Sequence, residues 1–162
     1  MQKRRFRSAP AIHQHEKLVE IVENGFLFSD DKQKLNVHAI HHYLSTKSYW
    51  AKNIPIETVK TSIDNSLCFG VYKDSEQIGF GRWITDCATF GYLADVYILE
   101  DFRGMALAKK MMSLMLFHKD LQGLRRYMLA TLDAHDLYSQ FGFKPIENPD
   151  ALMAIVIKDA YL

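Results

Sequence analysis

The chain has 162 residues, 48% of them hydrophobic and 24% charged, enough for one domain with a real core and ordinary for a soluble protein. A net charge of +1 supplies no protein-wide field for nucleic acid or an anionic membrane, and no apolar run approaches the roughly 18 residues of a transmembrane helix. Cys68 and Cys87 are widely spaced and in no metal motif, and no apolar signal-peptide core follows the basic N-terminus, so a reduced, cytoplasmic protein is expected.

Met1 to Ala11 carries Lys3, Arg4, Arg5 and Arg7 around Phe6. A cluster this short reads as a solvated tail ahead of a nucleic-acid or targeting arm. Ile12 to Asn24 follows, with Leu18, Val19, Ile21 and Val22 apolar and Asn24-Gly25 as a stop signal, which predicts a helix. Phe26-Leu27-Phe28 is then the expected first strand. Val37 to Leu44 is predicted helical with Asn36 as its cap. His38 and His42 have i, i+4 spacing there, but no carboxylate or cysteine joins them at ligand spacing, so no metal site is expected.

Tyr49 and Trp50 stand in a polar connection before Pro55, where aromatic rings either anchor a loop or line a site for an amine. Ile56 to Ser66 is a second predicted helix, with Ile56, Val59 and Ile63 on one stripe. Leu67 to Tyr72 and Gln77 to Thr85 are β-rich runs around a polar turn. They predict a hairpin, in which Gly79 and Gly81 suggest a bulge.

Phe90 to about Leu99 reads as the next strand, rich in β-branched and aromatic residues. After Glu100-Asp101-Phe102, a helix is expected to open at Arg103, with Leu107, Met111, Leu114 and Met115 on one face. A strand running through small residues into a helix start makes an anion receptor, because the first-turn N–H groups are unpaired and the helix dipole adds positive potential. Neither G-x-x-x-x-G-K-[ST] nor G-x-G-x-x-G is present. With Ile98-Leu99-Glu100-Asp101-Phe102 before it, the run Arg103, Ala106, Ala108 resembles the R-x-x-G-x-A acetyl-CoA signature of the GNAT superfamily of N-acetyltransferases.

That resemblance implies that the loop of Arg103, Gly104, Met105, Ala106, Leu107 and Ala108 binds the pyrophosphate of coenzyme A, with Tyr97 and Ile98 of the preceding strand also on the cofactor. Ala106 stands where the family usually has glycine. Helical backbone there would suit alanine; positive φ would not. Arg125 to Thr131 is the next predicted strand. Ala134 to Phe143 then resembles the family's A-x-x-L-Y-x-x-x-G-F signature, matched at Ala134, Leu137, Tyr138, Gly142 and Phe143. Thr131 replaces that signature's earlier asparagine, and its hydroxyl would be the cofactor contact. Ala151 to Ile157 is apolar and is expected to pair beside the strand before it. The implied fold is α+β, a GNAT fold with a mixed central β-sheet (an antiparallel meander followed by a parallel crossover) flanked by helices. It would occupy residues 25–162, after an N-terminal tail and helix over 1–24.

The resemblance also implies the chemistry: acetyl-CoA donates its acetyl group directly to a primary amine of a small molecule or peptide. A backbone N–H near Ile98 is the implied oxyanion donor, and Tyr138 the implied acid for the leaving thiolate, core packing being its rival role. Asp95 is a costly residue to bury without purpose. It either takes the amine's proton through water, binds a cationic substrate, or pairs with an arginine such as Arg82. Asp133 and His135 are further candidates for the base, and Tyr49 and Trp50 for the acceptor wall. No cysteine stands in a nucleophile setting, which disfavours an acyl-enzyme. The alternative is a non-catalytic CoA-binding or protein-interaction module, which Ala106 and Thr131 favour. Nucleic acid and membrane are not expected as partners; a homodimer is left open, since sheet-edge dimers are common in the resembling family.

Overall fold

The structure is a computed structural model and describes residues 18–161. Six strands form one sheet in chain order: β1 (Glu20–Glu23), β2 (Phe26–Ser29), β3 (Leu67–Lys73), β4 (Glu76–Thr85), β5 (Phe90–Ile98) and β6 (Arg126–Met128). Every neighbouring pair is antiparallel except β5 and β6, which are parallel. Helices α1 (Val37–Thr46) and α2 (Ile56–Asp64) lie between β2 and β3, α3 (Leu107–Leu116) makes the parallel crossover, and α4 (His135–Ser139) follows β6. The mixed α+β sheet expected from the sequence is present.

The local causes are legible. Asn36 caps α1, its side chain accepting from the Ala39 N–H at 3.0 Å. Isoleucines and leucines of α1 and α2 (Ile40, Leu44, Ile63) bury with Cys68, Phe80 and Tyr97 on one face of the sheet. Met111, Met112 and Met115 of α3 bury with Phe69, Val71, Trp83 and Leu93 on the other. Gly81 permits that close approach, since a Cβ there would lie 3.2 Å from the Met115 sulfur. Past α3, buried His118 ties the helix end to β2. Its Nδ1 accepts from the Asp120 N–H at 3.2 Å, so its Nε2 is the nitrogen that donates to Asp30, at 3.1 Å.

Three expectations are corrected. Residues 18–24 are not the end of a helix: Glu20–Glu23 pairs with Phe26–Ser29 in a hairpin. Asn24 and Gly25 both take left-handed backbone, φ 52° and 78°, so Asn-Gly acts as a two-residue hairpin turn rather than a helix stop. The rest of that expected helix, and the basic tail, lie outside the described residues. The helix expected to open at Arg103 opens at Leu107. Finally, Ala151 to Ile157 is not a strand: a single 3-10 turn covers Pro149–Ala151, and residues 152–157 pair with nothing in the sheet. Among the described residues, no helix is long and apolar enough to cross a membrane.

Candidate active site

The site begins with a defect in the β4–β5 ladder. Phe80 pairs with Tyr97 and Arg82 with Ala94, so Asp95 and Val96 together oppose Gly81. This is a β-bulge, and it falls beside the glycine that suggested one. Asp95 absorbs the extra residue with φ 57°, a left-handed conformation that aspartate tolerates better than most side chains. Its carboxylate is held on both oxygens: Oδ2 accepts from Arg82 Nε at 2.6 Å and Oδ1 from the Trp50 indole N–H at 2.9 Å. Arg82 in turn donates to the Ser66 hydroxyl at 3.0 Å. The arginine pairing that the sequence raised for Asp95 is present, and a loop aromatic is attached to it.

Beyond the bulge the sheet opens. β6 follows β5 only from Phe90 to Tyr92, opposite Arg126–Met128, and the two strands then separate. A cavity of about 580 Å³ fills the wedge, lined by Leu93 to Val96 on one side and Leu129 to Ala134 on the other. Tyr49, Trp50, Tyr92, Tyr138 and Tyr161 close it with aromatic surface. Tyr49 and Trp50 meet edge to face with centroids 4.9 Å apart, and the Tyr49 hydroxyl accepts from the Leu132 N–H at 3.1 Å, bridging the two walls. These two residues, Asp95, Thr131 and Tyr138, distant in sequence, thus share one cavity.

Tyr138 is 9% exposed, its ring packed edge-on against Phe143. Among the described residues its hydroxyl makes no hydrogen bond. Burial, with Tyr49 and Asp133 nearby, pushes its pKa up to about 12, so the hydroxyl keeps its proton at neutral pH. Thr131 uses its hydroxyl at the start of α4, accepting from the Ala134 N–H at 3.0 Å. Asp133 lines the cavity, exposed, and pairs with no cation among the described residues. Tyr161 lines it too, and no sequence signal pointed there, because it lies past both motifs.

The end of β5 leads to the loop. Leu99 donates to the Ile78 carbonyl across β4 at 2.8 Å. The antiparallel alternation therefore turns the N–H and C=O of Ile98 the other way, toward the opened side. There Arg103 Nε donates to the Ile98 carbonyl at 3.1 Å, while its Nη2 donates to the Tyr43 hydroxyl at 3.2 Å, fastening the loop to the strand and to α1. The structure does not bring Tyr97 to the cavity. Its ring is 5% exposed and stacked on Tyr43 with centroids 3.7 Å apart, in the core beneath α1.

Ala106 is the residue before α3, at φ 59° and ψ 16°. The position thus needs the positive φ that the glycine at this place in the motif would supply, and alanine holds it at a cost of about 1–2 kcal/mol. No side chain caps the helix, so its first amides stay open to a ligand. A second cavity, of about 380 Å³, lies against this helix start, between Met105, Ala106, Leu107, Lys109 and Lys110 and the β1–β2 hairpin, with Phe141 at its side; Ala108 does not line it. Tyr138 at one cavity and Phe141 at the other put α4 and the turn after it between them. Small side chains, uncapped amides and a wedge leading away from the loop fit a long ligand with a phosphate group at one end.

A family model described as an acetyltransferase (GNAT) domain matches residues 64–145. The chain belongs to the GNAT acetyltransferase family. A Gibberella zeae protein assigned as an acetyltransferase is 33% identical over 155 residues, covering 82% of this chain and 86% of that one. A crystal structure from Xanthomonas campestris, of a protein assigned as an acetyltransferase of the GNAT family, superposes with a TM-score of 0.82 at 45% identity. It covers 84% of this chain and 96% of its own. The crystal structure, with acetyl-CoA, of a predicted acetyltransferase from Clostridium acetobutylicum shares the fold at 14% identity, with a TM-score of 0.61 over 81% of this chain and 94% of that one. This GNAT protein is an acyltransferase.

Proposed function

We propose that this enzyme is an acetyl-CoA-dependent N-acetyltransferase that acts by direct transfer on a primary amine of a small molecule or peptide. The observation that carries the reading is the Tyr138 hydroxyl, which makes no hydrogen bond among the described residues, in a wedge cavity shared with Tyr49, Trp50 and Asp133. Acetyl-CoA would supply the thioester: the C–N bond forms, the C–S bond breaks, the amine loses one proton and the sulfur leaves as thiolate or thiol. The open amides around Ala106 would hold its phosphates. The Ile98 N–H, turned toward the opened side of β5, is suited to the carbonyl oxygen as charge develops there.

Tyr138 serves the leaving sulfur. A buried phenol, its pKa raised above that of a free tyrosine, facing a thiol of about 8.5 does not hand over its proton fully, since that is uphill. It acts instead by a strong hydrogen bond to the thiolate as the C–S bond breaks. For the amine, the carboxylate best placed to take a proton through water is Asp133, which pairs with no cation among the described residues. Asp95 already serves Arg82 and Trp50, and its part is to hold the aromatic wall where a cationic acceptor would lie.

Thermal unfolding with acetyl-CoA, beside matched ATP and NAD, tests the donor. A ligand at about 100 times its Kd adds about 2.7 kcal/mol, a rise of roughly 5–10 °C for a chain of this size. A rise with acetyl-CoA alone is expected. No rise up to millimolar acetyl-CoA would overturn the donor assignment.

A further inference from the structure

The described lining of the wedge cavity holds three ionised side chains, Arg82, Asp95 and Asp133, and two of them cancel. Arg82 Nε meets Asp95 Oδ2 at 2.6 Å, with the two side chains 14% and 8% exposed. Each has a second partner, Ser66 for Arg82 and the Trp50 indole for Asp95. Asp133 pairs with no cation among the described residues, which leaves that lining net negative. A carboxylate or phosphate on an entering ligand would have to compete with Asp95 for Arg82 and strand a nearly buried charge. An ammonium meets a field of the opposite sign. The uncharged wall is aromatic: Tyr49 and Trp50 are 51% and 41% exposed, with Ile84 and Tyr161 exposed beside them. Exposed apolar side chains gathered in a concave site form a surface for an apolar ligand to cover. The N–H of Trp50 is spent on Asp95, so what its ring still offers a ligand is apolar and π surface.

We propose that the acceptor is a primary amine on an aromatic or other apolar body that carries no anionic group, and that Asp95 sets this choice by cancelling the charge of Arg82. The inference rests on the acetyltransferase reading and narrows its acceptor. The apolar body packs on Tyr49 and Trp50, and the ammonium lies on the Asp133 side of the wedge. Amines bearing a carboxylate or phosphate are disfavoured because the one cation of the described lining is already paired. Small polar amines are disfavoured because they leave the rings uncovered. Asp95 is thus a specificity residue that acts through Arg82, not a catalytic one. Neutralising it frees a guanidinium whose planar fork matches a carboxylate, and the preference shifts toward anionic amines.

The test compares phenethylamine, phenylalaninamide, phenylalanine and ethanolamine, by calorimetric binding to the full chain saturated with CoA and by kcat/KM with acetyl-CoA. Phenylalanine differs from its amide in the carboxylate, and ethanolamine lacks the ring. The first two amines are expected to bind about tenfold more tightly than the other two and to be acetylated in the same order. Asp95→Asn is expected to raise kcat/KM for phenylalanine relative to phenylalaninamide by about tenfold. A purely structural role would lower both alike and leave the ratio where it was. Should Asp95→Asn not fold, the order of the four amines and Trp50→Ala decide. Trp50→Ala is expected to raise KM for phenethylamine about tenfold and to keep the Tm rise with acetyl-CoA. Preference for phenylalanine or ethanolamine overturns the proposal. So does a ratio that Asp95→Asn leaves unmoved, an unchanged KM in Trp50→Ala, or no binding of any of the four. An absent Tm rise with acetyl-CoA falls on the donor reading instead, and the binding series, repeated without CoA, still judges the cavity.

Discussion

Asp95 and Ala106 both hold left-handed backbone, at φ 57° and 59°, on either side of the end of β5. Each position serves the site: the first makes the bulge beside the wedge, the second turns the chain into α3. They differ in what maintains them. Asp95 is held by two side-chain hydrogen bonds, to Arg82 and Trp50, and belongs to a residue type that tolerates this backbone. Ala106 has no side-chain bond, and its methyl group works against the conformation. Its geometry is imposed from outside, by Arg103 fastened to Ile98 and Tyr43 before it and by the buried face of α3 after it. A strained position can therefore be kept by its own side chain or by its neighbours, and the two respond differently to substitution.

The largest effect should come from breaking the first arrangement. Asp95→Ala leaves the Arg82 guanidinium, 14% exposed, without its partner and is expected to cost about 3 kcal/mol in denaturant unfolding. Asp95→Asn keeps the left-handed preference and an acceptor for Trp50, and should recover part of that loss. Equal losses in the two variants would mean that the ion pair, not the bulge conformation, carries the effect.

Tyr138→Phe separates chemistry from this network. It is expected to lower kcat by about 10²-fold, with little change in stability because the hydroxyl makes no hydrogen bond among the described residues. Unchanged turnover across the pH range would leave Tyr138 a packing residue. The second arrangement is probed by Ala106→Gly, expected to add about 1 kcal/mol and to preserve or tighten donor binding. A loss of stability would show that the loop does not hold Ala106 left-handed in solution.

The smallest effect is with pH. The folded Tyr138 pKa lies near 12 against an ordinary value of 10.0, so its contribution is fully present below pH 10 and is lost as pH rises toward 12. Burial raises the phenols of Tyr72 and Tyr97 as well, so they act in the same direction. Tm should fall across this alkaline window, and less steeply in Tyr138→Phe. An identical slope would show that Tyr138 does not contribute.

The sheet order, the crossover helix and the loop before it follow from what the sequence carries locally. Asn36 caps α1, β-rich runs alternate around polar turns, and Arg103, Ala108, Tyr138 and Gly142 stand at motif spacing, all within short stretches of chain. Short-range chemistry also misled where one signal has two meanings. Asn24-Gly25 can end a helix or turn a hairpin, and pairing with β2 decided for the hairpin. Ala151 to Ile157 has strand composition, but a strand needs an edge, and composition cannot say whether one is within reach. What only the tertiary structure decided is the acceptor side of the site. Trp50 meets Asp95, Tyr49 meets Leu132, and Tyr161 joins the wall through contacts between residues far apart in the chain. The side chains that meet there have no common period or spacing, because a strand bulge and a splayed sheet, not a helix or strand repeat, bring them together.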